Sequence, residues 1–355
     1  MYSYVKKTVC HIAVVIFMAV CAVMFLAPEE SRTLQAASDK LKVHYIDVGQ
    51  SDCVLIRQKN KNMLVDAGDV GDGDKIVNYL KSQGVKKLDY VIATHPHADH
   101  IGGMADVIEN FSVGRIIMSR KSHTTKTYVD LLKKIQAKGM KITEAKPGAA
   151  YKLGQASFTL LAPNSYQYGS NINNYSVAFR LVYGKNSFMF VGDCEENAIA
   201  DIMGNGMKIK SDVLMCGHHG SANSTTSAWV KKVRPSYAVI SVGAGNSYGH
   251  PAEAVLQILS EQKVKYFRTD KKGTIIAVSN GKKITFNTKP IAEKIAPQEN
   301  LASSGEKEYV YVTGSGKKYH RQGCRYLTKS SVKKKLSEVK KAGYSACKVC
   351  IGNGE

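Results

Sequence analysis

Three imidazoles and a carboxylate fall within six residues, at His95-Pro96-His97-Ala98-Asp99-His100. Neutral imidazole and carboxylate are the ligand types that hold Zn²⁺ or Mn²⁺ while leaving positions open for water and substrate. A single core histidine is commonly a packing residue; four ligand-type side chains in six positions are not. Further acids and imidazoles recur in a matching local context. Asp66 ends the apolar run Met63-Leu64-Val65, Asp193 ends Phe188-Met189-Phe190-Val191-Gly192, and His218-His219 follow Val213-Leu214-Met215-Cys216-Gly217. Taken singly, Asp66 or Asp193 would read as a turn former or a helix cap. As an ordered series, they point to one metal centre assembled from distant loops.

The elements that must position these residues are strands. The first cluster follows the β-type run Leu88-Asp89-Tyr90-Val91-Ile92-Ala93-Thr94, and a strand ending in a turn aims its polar side chains in one direction. From residue 41 short β-branched runs alternate with amphipathic stretches. The pattern predicts strands at 42–48, 53–57, 62–66, 89–94, 114–118, 156–161, 176–183, 187–191, 212–216, 237–242 and 274–279. It predicts helices at 74–83, 127–138, 195–203 and 252–261. This alternation gives an α/β class. A chain of 355 residues with 44% apolar content can bury a sizeable core and is not compositionally disordered.

The H-x-H-x-D-H spacing is identified as the signature of the metallo-β-lactamase superfamily. Within it the chain resembles the hydrolase domain of ComEC-type DNA-uptake proteins. The resemblance is carried by HYIDVGQSDCVLI (44–56), THPHADHIGG (94–103), NNYSVAFRLVYGKNSFMFVGD (173–193), HHGSANST (218–225) and ISVGAGNSYGHP (240–251). It implies an αββα four-layer sandwich over residues 39–287 and a metal-dependent hydrolase. His95 and His97 would then bind one cation, and Asp99 and His100 the other. Asp193 would bridge them, and a histidine of the 218–219 pair would complete the second position, with His219 preferred as the ligand and His218 as a phosphate contact. Asp66 is expected to orient a ligand imidazole from behind. With Asp99 and His218, His250 is the third candidate for contact with the reacting groups, to touch phosphate or protonate a leaving oxygen; a capping loop is the alternative. Ser221 and Ser224 are candidate phosphate contacts, or simply a Ser-rich turn.

One departure from the superfamily pattern matters. Many members carry another histidine shortly before the Gly-Asp strand, whereas here the segment reads Asn171-Ile172-Asn173-Asn174-Tyr175-Ser176. Asparagine suits Mn²⁺ or Mg²⁺ better than Zn²⁺. Asn174 is therefore expected beside a weaker first position, and β-lactam hydrolysis is disfavoured. The Asp/Gly run 68–74 resembles a Ca²⁺ loop but lacks the bidentate Glu of an EF-hand; helix capping by Asp72 or Asp74 is the expected reading.

The flanks carry separate signals. Residues 11–27 are uncharged and apolar after Lys6 and Lys7, which reads as an export signal within 1–38 or as an uncleaved membrane anchor. Either places the folded part outside the cytoplasmic membrane, secreted or tethered. Residues 288–308 read as a linker. A basic module follows at 309–355, where His320, Cys324, Cys347 and Cys350 have the paired spacing of a structural Zn²⁺ site. It resembles small zinc-binding modules appended to secreted nucleases and the metal-binding part of Ada-type repair proteins. A disulfide plus a spare thiol is the alternative. Cys53, Cys194 and Cys216 read as singly buried fillers.

The net charge is +21, with 12 basic and 4 acidic residues from 301 onward. Such an excess favours a polyanionic partner, DNA first, with other polyanions open; membrane contact is expected only through the N-terminal segment. The combined expectation is an exported phosphodiesterase acting on extracellular DNA. A small-molecule or cell-wall phosphodiesterase or esterase, and a non-catalytic polyanion-binding protein, are the competing readings.

Overall fold

The computed structural model describes residues 40–292, 309–314, 316–320, 324, 327 and 331–347. The expected export segment, part of the expected linker, and Cys350 lie outside the described residues. Among the described residues, no helix is long and apolar enough to cross a membrane. The chain divides into two compact units, Met1–Ala292 and Glu293–Glu355.

The larger unit is a sandwich of two mixed sheets. The first has eight strands, ordered Ile284–Phe286, Ile275–Ser279, Leu41–Tyr45, Val54–Gln58, Lys61–Val65, Tyr90–Ala93, Ile116–Met118 and Ile142–Glu144. The second has seven, ordered Lys265–Arg268, Tyr237–Ile240, Val213–Met215, Asn186–Phe190, Ala178–Tyr183, Ala156–Ala162 and Ala150–Leu153. In each sheet an antiparallel half continues into a parallel half.

Period-two alternation explains the layering. Val43, Ile56, Met63, Val65 and Ile92 join Phe158, Phe179, Phe188, Phe190 and Val239 in the core between the sheets. Their neighbours Leu55, Leu64, Val91 and Ile116 point the other way. They pack on Ile76, Leu80, Met104, Val107, Leu131 and Ile135, from the helices Gly73–Ser82, Met104–Asn110 and Lys126–Ala137. The helices Glu196–Gly204, Ser227–Val233 and Glu253–Glu261 bury Ile199, Ile202, Trp229, Val230, Val255 and Leu259 and make the outer layer of the second sheet. The αββα order that the resemblance implied is the order of the structure.

The four predicted helices and the predicted strands are present, with ends that coincide or shift by at most three residues. The helices Met104–Asn110 and Ser227–Val233 were not anticipated, because two turns offer too few positions for a 3.6-residue period to register. Asp72 occupies the N-cap of the Gly73–Ser82 helix without a side-chain cap bond. Its Oδ2 instead accepts the Asp69 amide at 2.9 Å, tying the loop to itself. Cys53, Cys194 and Cys216 are buried and free, as expected.

The smaller unit holds a four-stranded sheet, ordered Ser331–Lys335, Tyr309–Thr313, Lys318–His320 and Ser345–Ala346. With the helix Leu336–Lys341 it encloses, among the described residues, a core of Val310, Val312, Tyr319 and Val339, against which Leu336, Tyr344 and Ala346 pack.

Candidate metal centre

The parallel halves of the two sheets end on one rim, and each expected ligand follows a strand there. Thr94 and His95 follow Tyr90–Ala93, and the short helix Ala98–Ile101 then carries Asp99 and His100. Asp66 follows Lys61–Val65, Asp193 follows Asn186–Phe190, and His218 and His219 follow Val213–Met215. Asp66, His218 and His219 have φ of 56°, 51° and 54°. This left-handed region is costly for residues with a Cβ and gathers at functional sites.

These side chains converge. One ligand atom each from Asp99, His100, Asp193 and His219 lies within 4.8 Å of the others. His100 Nε2 is 3.3 Å from Asp193 Oδ1 and 3.6 Å from Asp99 Oδ2, and His219 Nε2 is 3.2 Å from Asp99 Oδ2. This group gathers the residues expected at the second cation position, with Asp193 as the expected bridge. At the other oxygen of Asp193, His95 Nε2 is 3.7 Å from Oδ2 and 2.9 Å from His97 Nδ1, the pair expected at the first position. His218 Nε2 is also 3.7 Å from Asp193 Oδ2.

The ligands are held from behind. His100 Nδ1 donates to Asp66 Oδ2 at 2.8 Å, and Asp66 also accepts the Thr94 amide at 2.8 Å and hydroxyl at 2.7 Å. His219 Nδ1 faces the Ser241 carbonyl at 3.2 Å and Asp52 Oδ1 at 3.4 Å. Such partners fix the ring and raise ligand basicity.

Electrostatics show what the cluster is built to receive. Burial disfavours charge on His100, yet Asp193, Asp99 and Asp66 outweigh it and raise this imidazole well above its ordinary value. Burial is likewise overcome at His219, which Asp52 and Asp99 push up to about 10. Against the effect of burial, Asp193 is held low by His100 and His218, and Asp99 by His100 and His219. His95 goes the opposite way, lowered by burial and by His100. Buried carboxylates thus draw protons onto neighbouring rings, the response of a site whose acids require positive charge. His100 Nε2 and Asp193 Oδ1 are buried without a hydrogen bond of ordinary geometry. Imidazole nitrogens and carboxylate oxygens converging this way fit divalent cations.

The centre opens into a cleft of about 320 Å³ lined by Gln50, His97, Ala98, Asp99, Asn173, Asp193, His218, His219, Tyr248 and His250. Several expected residues are elsewhere. Ser224 is fully buried and donates its hydroxyl to the Cys194 carbonyl at 2.7 Å. Ser221 is buried, with its Oγ 3.4 Å from the Asn223 amide. Neither lines the cleft, so the Ser-rich segment acts as a turn. Asn174 Oδ1 accepts the Glu195 and Ala198 amides at 3.0 and 3.3 Å, and so serves the start of the Glu196–Gly204 helix. Sequence reasoning missed Asp52, Gln50, Glu195 and Tyr248, since lone polar residues in loops carry no spacing signal. Asn173 lay inside the asparagine segment that was noticed, but nothing distinguished it from Asn174.

In the smaller unit, ligand atoms of His320, Cys324 and Cys347 lie within 4.8 Å of one another, with His320 Nδ1 3.2 Å from Cys324 Sγ. Three of the four expected zinc ligands are therefore together.

Residues 46–244 match the family model of the metallo-beta-lactamase superfamily, and the chain belongs to that superfamily. It is 29% identical over 288 residues to ComE operon protein 3 of Bacillus subtilis, a match covering 76% of this chain and 36% of that protein. It is 30% identical over 234 residues to competence protein ComA of Neisseria gonorrhoeae, covering 64% of this chain and 31% of that one. The chain thus spans about a third of these relatives. Among solved structures, the metallo-beta-lactamase fold protein YhfI of Bacillus subtilis overlays 68% of this chain and all of its own, with TM-score 0.47 and 14% identity. The chain is a metallo-β-lactamase superfamily hydrolase homologous to competence proteins, with a metal-dependent hydrolase fold.

Proposed function

We propose that this chain is an exported phosphodiesterase that cuts DNA outside the cell, using divalent cations, Mn²⁺ or Zn²⁺, at the rim centre. The observation that carries the reading is the placement of Asp193 between two groups of nitrogen ligands at the floor of an open cleft. A cation pair in such a site supplies an activated water and neutralises charge on both oxygens of an in-line displacement. The chain's own groups do the rest. Asp66 and Asp52 hold His100 and His219 in place. Burial, with His218 and His219 nearby, lowers His250 to about 4. At neutral pH it is therefore an uncharged hydrogen-bonding group in the cleft, which favours phosphate contact over proton donation among the roles offered by the sequence. Tyr248 is 71% exposed at the cleft mouth and stacks on His250, with ring centroids 5.9 Å apart; it offers a face to a nucleobase. The net charge of +21 supports a polyanionic substrate. The apolar run 11–27 and the homology to competence proteins support extracellular DNA.

The test is the purified chain with Mn²⁺ or Zn²⁺ against single- and double-stranded DNA, beside a chromogenic phosphodiester. Cleavage of DNA, lost in His97→Ala and Asp193→Ala, is expected. Turnover of the small ester alone would overturn the nuclease reading in favour of a small-molecule or cell-wall substrate. DNA binding that survives chelation and both substitutions, with no cleavage, would leave only a polyanion-binding protein.

A further inference from the structure

We propose that His218 supplies the third imidazole of the first cation position, and that Glu195 is the residue that positions it. The inference rests on the reading of the rim as a two-cation centre. It reassigns a residue that the sequence had placed against phosphate, and it gives the asparagine segment 171–174 a defined task.

Three observations carry it. The first is how Asp193 divides its oxygens. Oδ1 faces His100 at 3.3 Å, on the second position. Oδ2 is approached at 3.7 Å by His95 and at the same 3.7 Å by His218. His218 thus shares the oxygen of the first position, while its neighbour His219 turns to Asp99. Consecutive left-handed residues allow this, setting the two adjacent rings 66° apart with centroids 6.1 Å from one another.

The second is a repeated arrangement behind the rings. His100 has Asp66 at its Nδ1, at 2.8 Å. His219 has Asp52 at 3.4 Å, and His218 has Glu195 at 3.4 Å. A carboxylate on the far nitrogen is the support that a ligand imidazole uses. His218 faces a carboxylate on its far nitrogen as the two histidines of the second position do, at a separation close to that of His219 from Asp52.

The third is what the asparagines do. Asn173 Nδ2 donates to Glu195 Oε1 and Asn171 Nδ2 to Oε2, each at 2.8 Å. Asn174 accepts the Glu195 amide at 3.0 Å. The segment that lacks the superfamily's usual histidine grips the carboxylate that holds a different one. The lost ligand is replaced from another loop, and the replacement is braced by residues standing where the original would be.

The experiment counts cations and reads their ligand field without using activity. Co²⁺ is titrated into the metal-stripped full chain and followed by visible absorption, with bound equivalents measured by elemental analysis. The wild type is expected to bind two at the rim, counted apart from a third at His320, Cys324 and Cys347 that thiolate-to-cobalt absorption identifies. His218→Ala is expected to keep one tight equivalent and lose the other, with the loss of an imidazole from its absorption bands. Glu195→Gln is expected to weaken that same event by about 10- to 100-fold and leave the tight one unchanged. Should His218→Ala fail to fold, Glu195→Gln and Asn171→Ala carry the test alone. Two undiminished equivalents in these variants would overturn the proposal, as would loss of the tight event. A chain that behaves as expected here yet leaves DNA intact would defeat the nuclease reading only.

Discussion

Asp66 and His100 meet at 2.8 Å in a space that solvent does not reach: their side chains are 1% and 0% exposed. The carboxylate accepts three hydrogen bonds, one from the imidazole and two from Thr94. It therefore joins the end of one strand to the ligand cluster that follows the next. An asparagine in its place has one acceptor oxygen and cannot satisfy all three donors. Asp66→Asn should lower affinity at the second cation position by about 10- to 100-fold. A chelator-competition titration measures this. Unchanged affinity would mean that His100 is held by its short helix alone.

The glycines closing the motif at 102 and 103 are structural partners of the same loop. A Cβ on Gly102 would sit 2.0 Å from the Asp69 carbonyl carbon, and one on Gly103 would sit 2.7 Å from the Ala67 carbonyl oxygen. Both obstacles are backbone, so no rotamer change relieves them. Gly102→Ala should destabilise the larger unit by about 1–3 kcal/mol or more and weaken cation binding through displaced Asp66. Urea melts of the metal-stripped chain measure the first effect. A melt superimposing on wild type would show that the loop has room to move.

The centre was legible in the sequence where chemistry and spacing coincide. His95, His97, Asp99 and His100 sit within one turn of chain. Asp193 and His219 stand at the ends of apolar runs whose strands lead to one rim. What was hidden lies in solitary residues whose meaning comes from tertiary contact. Asp52 reaches His219 across 167 positions and Glu195 reaches His218 across 23, separations that no local pattern encodes. Ser224 and Asn174 misled for the converse reason. Their types suit a phosphate or a metal, but buried backbone groups claimed them first. In the fold, the alternating runs declared most of the strands while the resemblance supplied their division into two sheets, and the misses were short strands such as Ile142–Glu144 and Ile284–Phe286.

His44 gives a prediction independent of the metal centre. It is 1% exposed, with Nδ1 against the Tyr79 hydroxyl at 2.8 Å and Nε2 buried without a partner. Burial, with smaller help from Arg57 and Lys42, lowers it to about 4 from 6.5. The unfolded chain therefore binds a proton that the folded chain refuses between these values. Stability is lost as pH falls through that window, by roughly 3 kcal/mol at its lower end. His44→Gln removes the titration, so the gap between its urea midpoints at pH 7.5 and pH 4.5 should be narrower than in wild type. An equal gap would assign the acid sensitivity elsewhere.

The small unit poses its own question, because the core among its described residues, centred on Val310, Val312, Tyr319 and Val339, is small for a four-stranded sheet. His320, Cys324 and Cys347 bring three ligand atoms together, and reading them as a zinc staple makes this unit's order depend on the cation. The strand Ser331–Lys335 carries Lys333, Lys334 and Lys335, which trypsin cuts readily once the sheet opens. Cys324→Ser and Cys347→Ser should speed cleavage there at least tenfold while the larger unit stays intact, followed by mass spectrometry of the full chain. Chelation of the wild type should reproduce this, and a reducing agent alone should not. Exposure by reductant but not by chelator would show that sulfur–sulfur bonding, not zinc, holds the sheet.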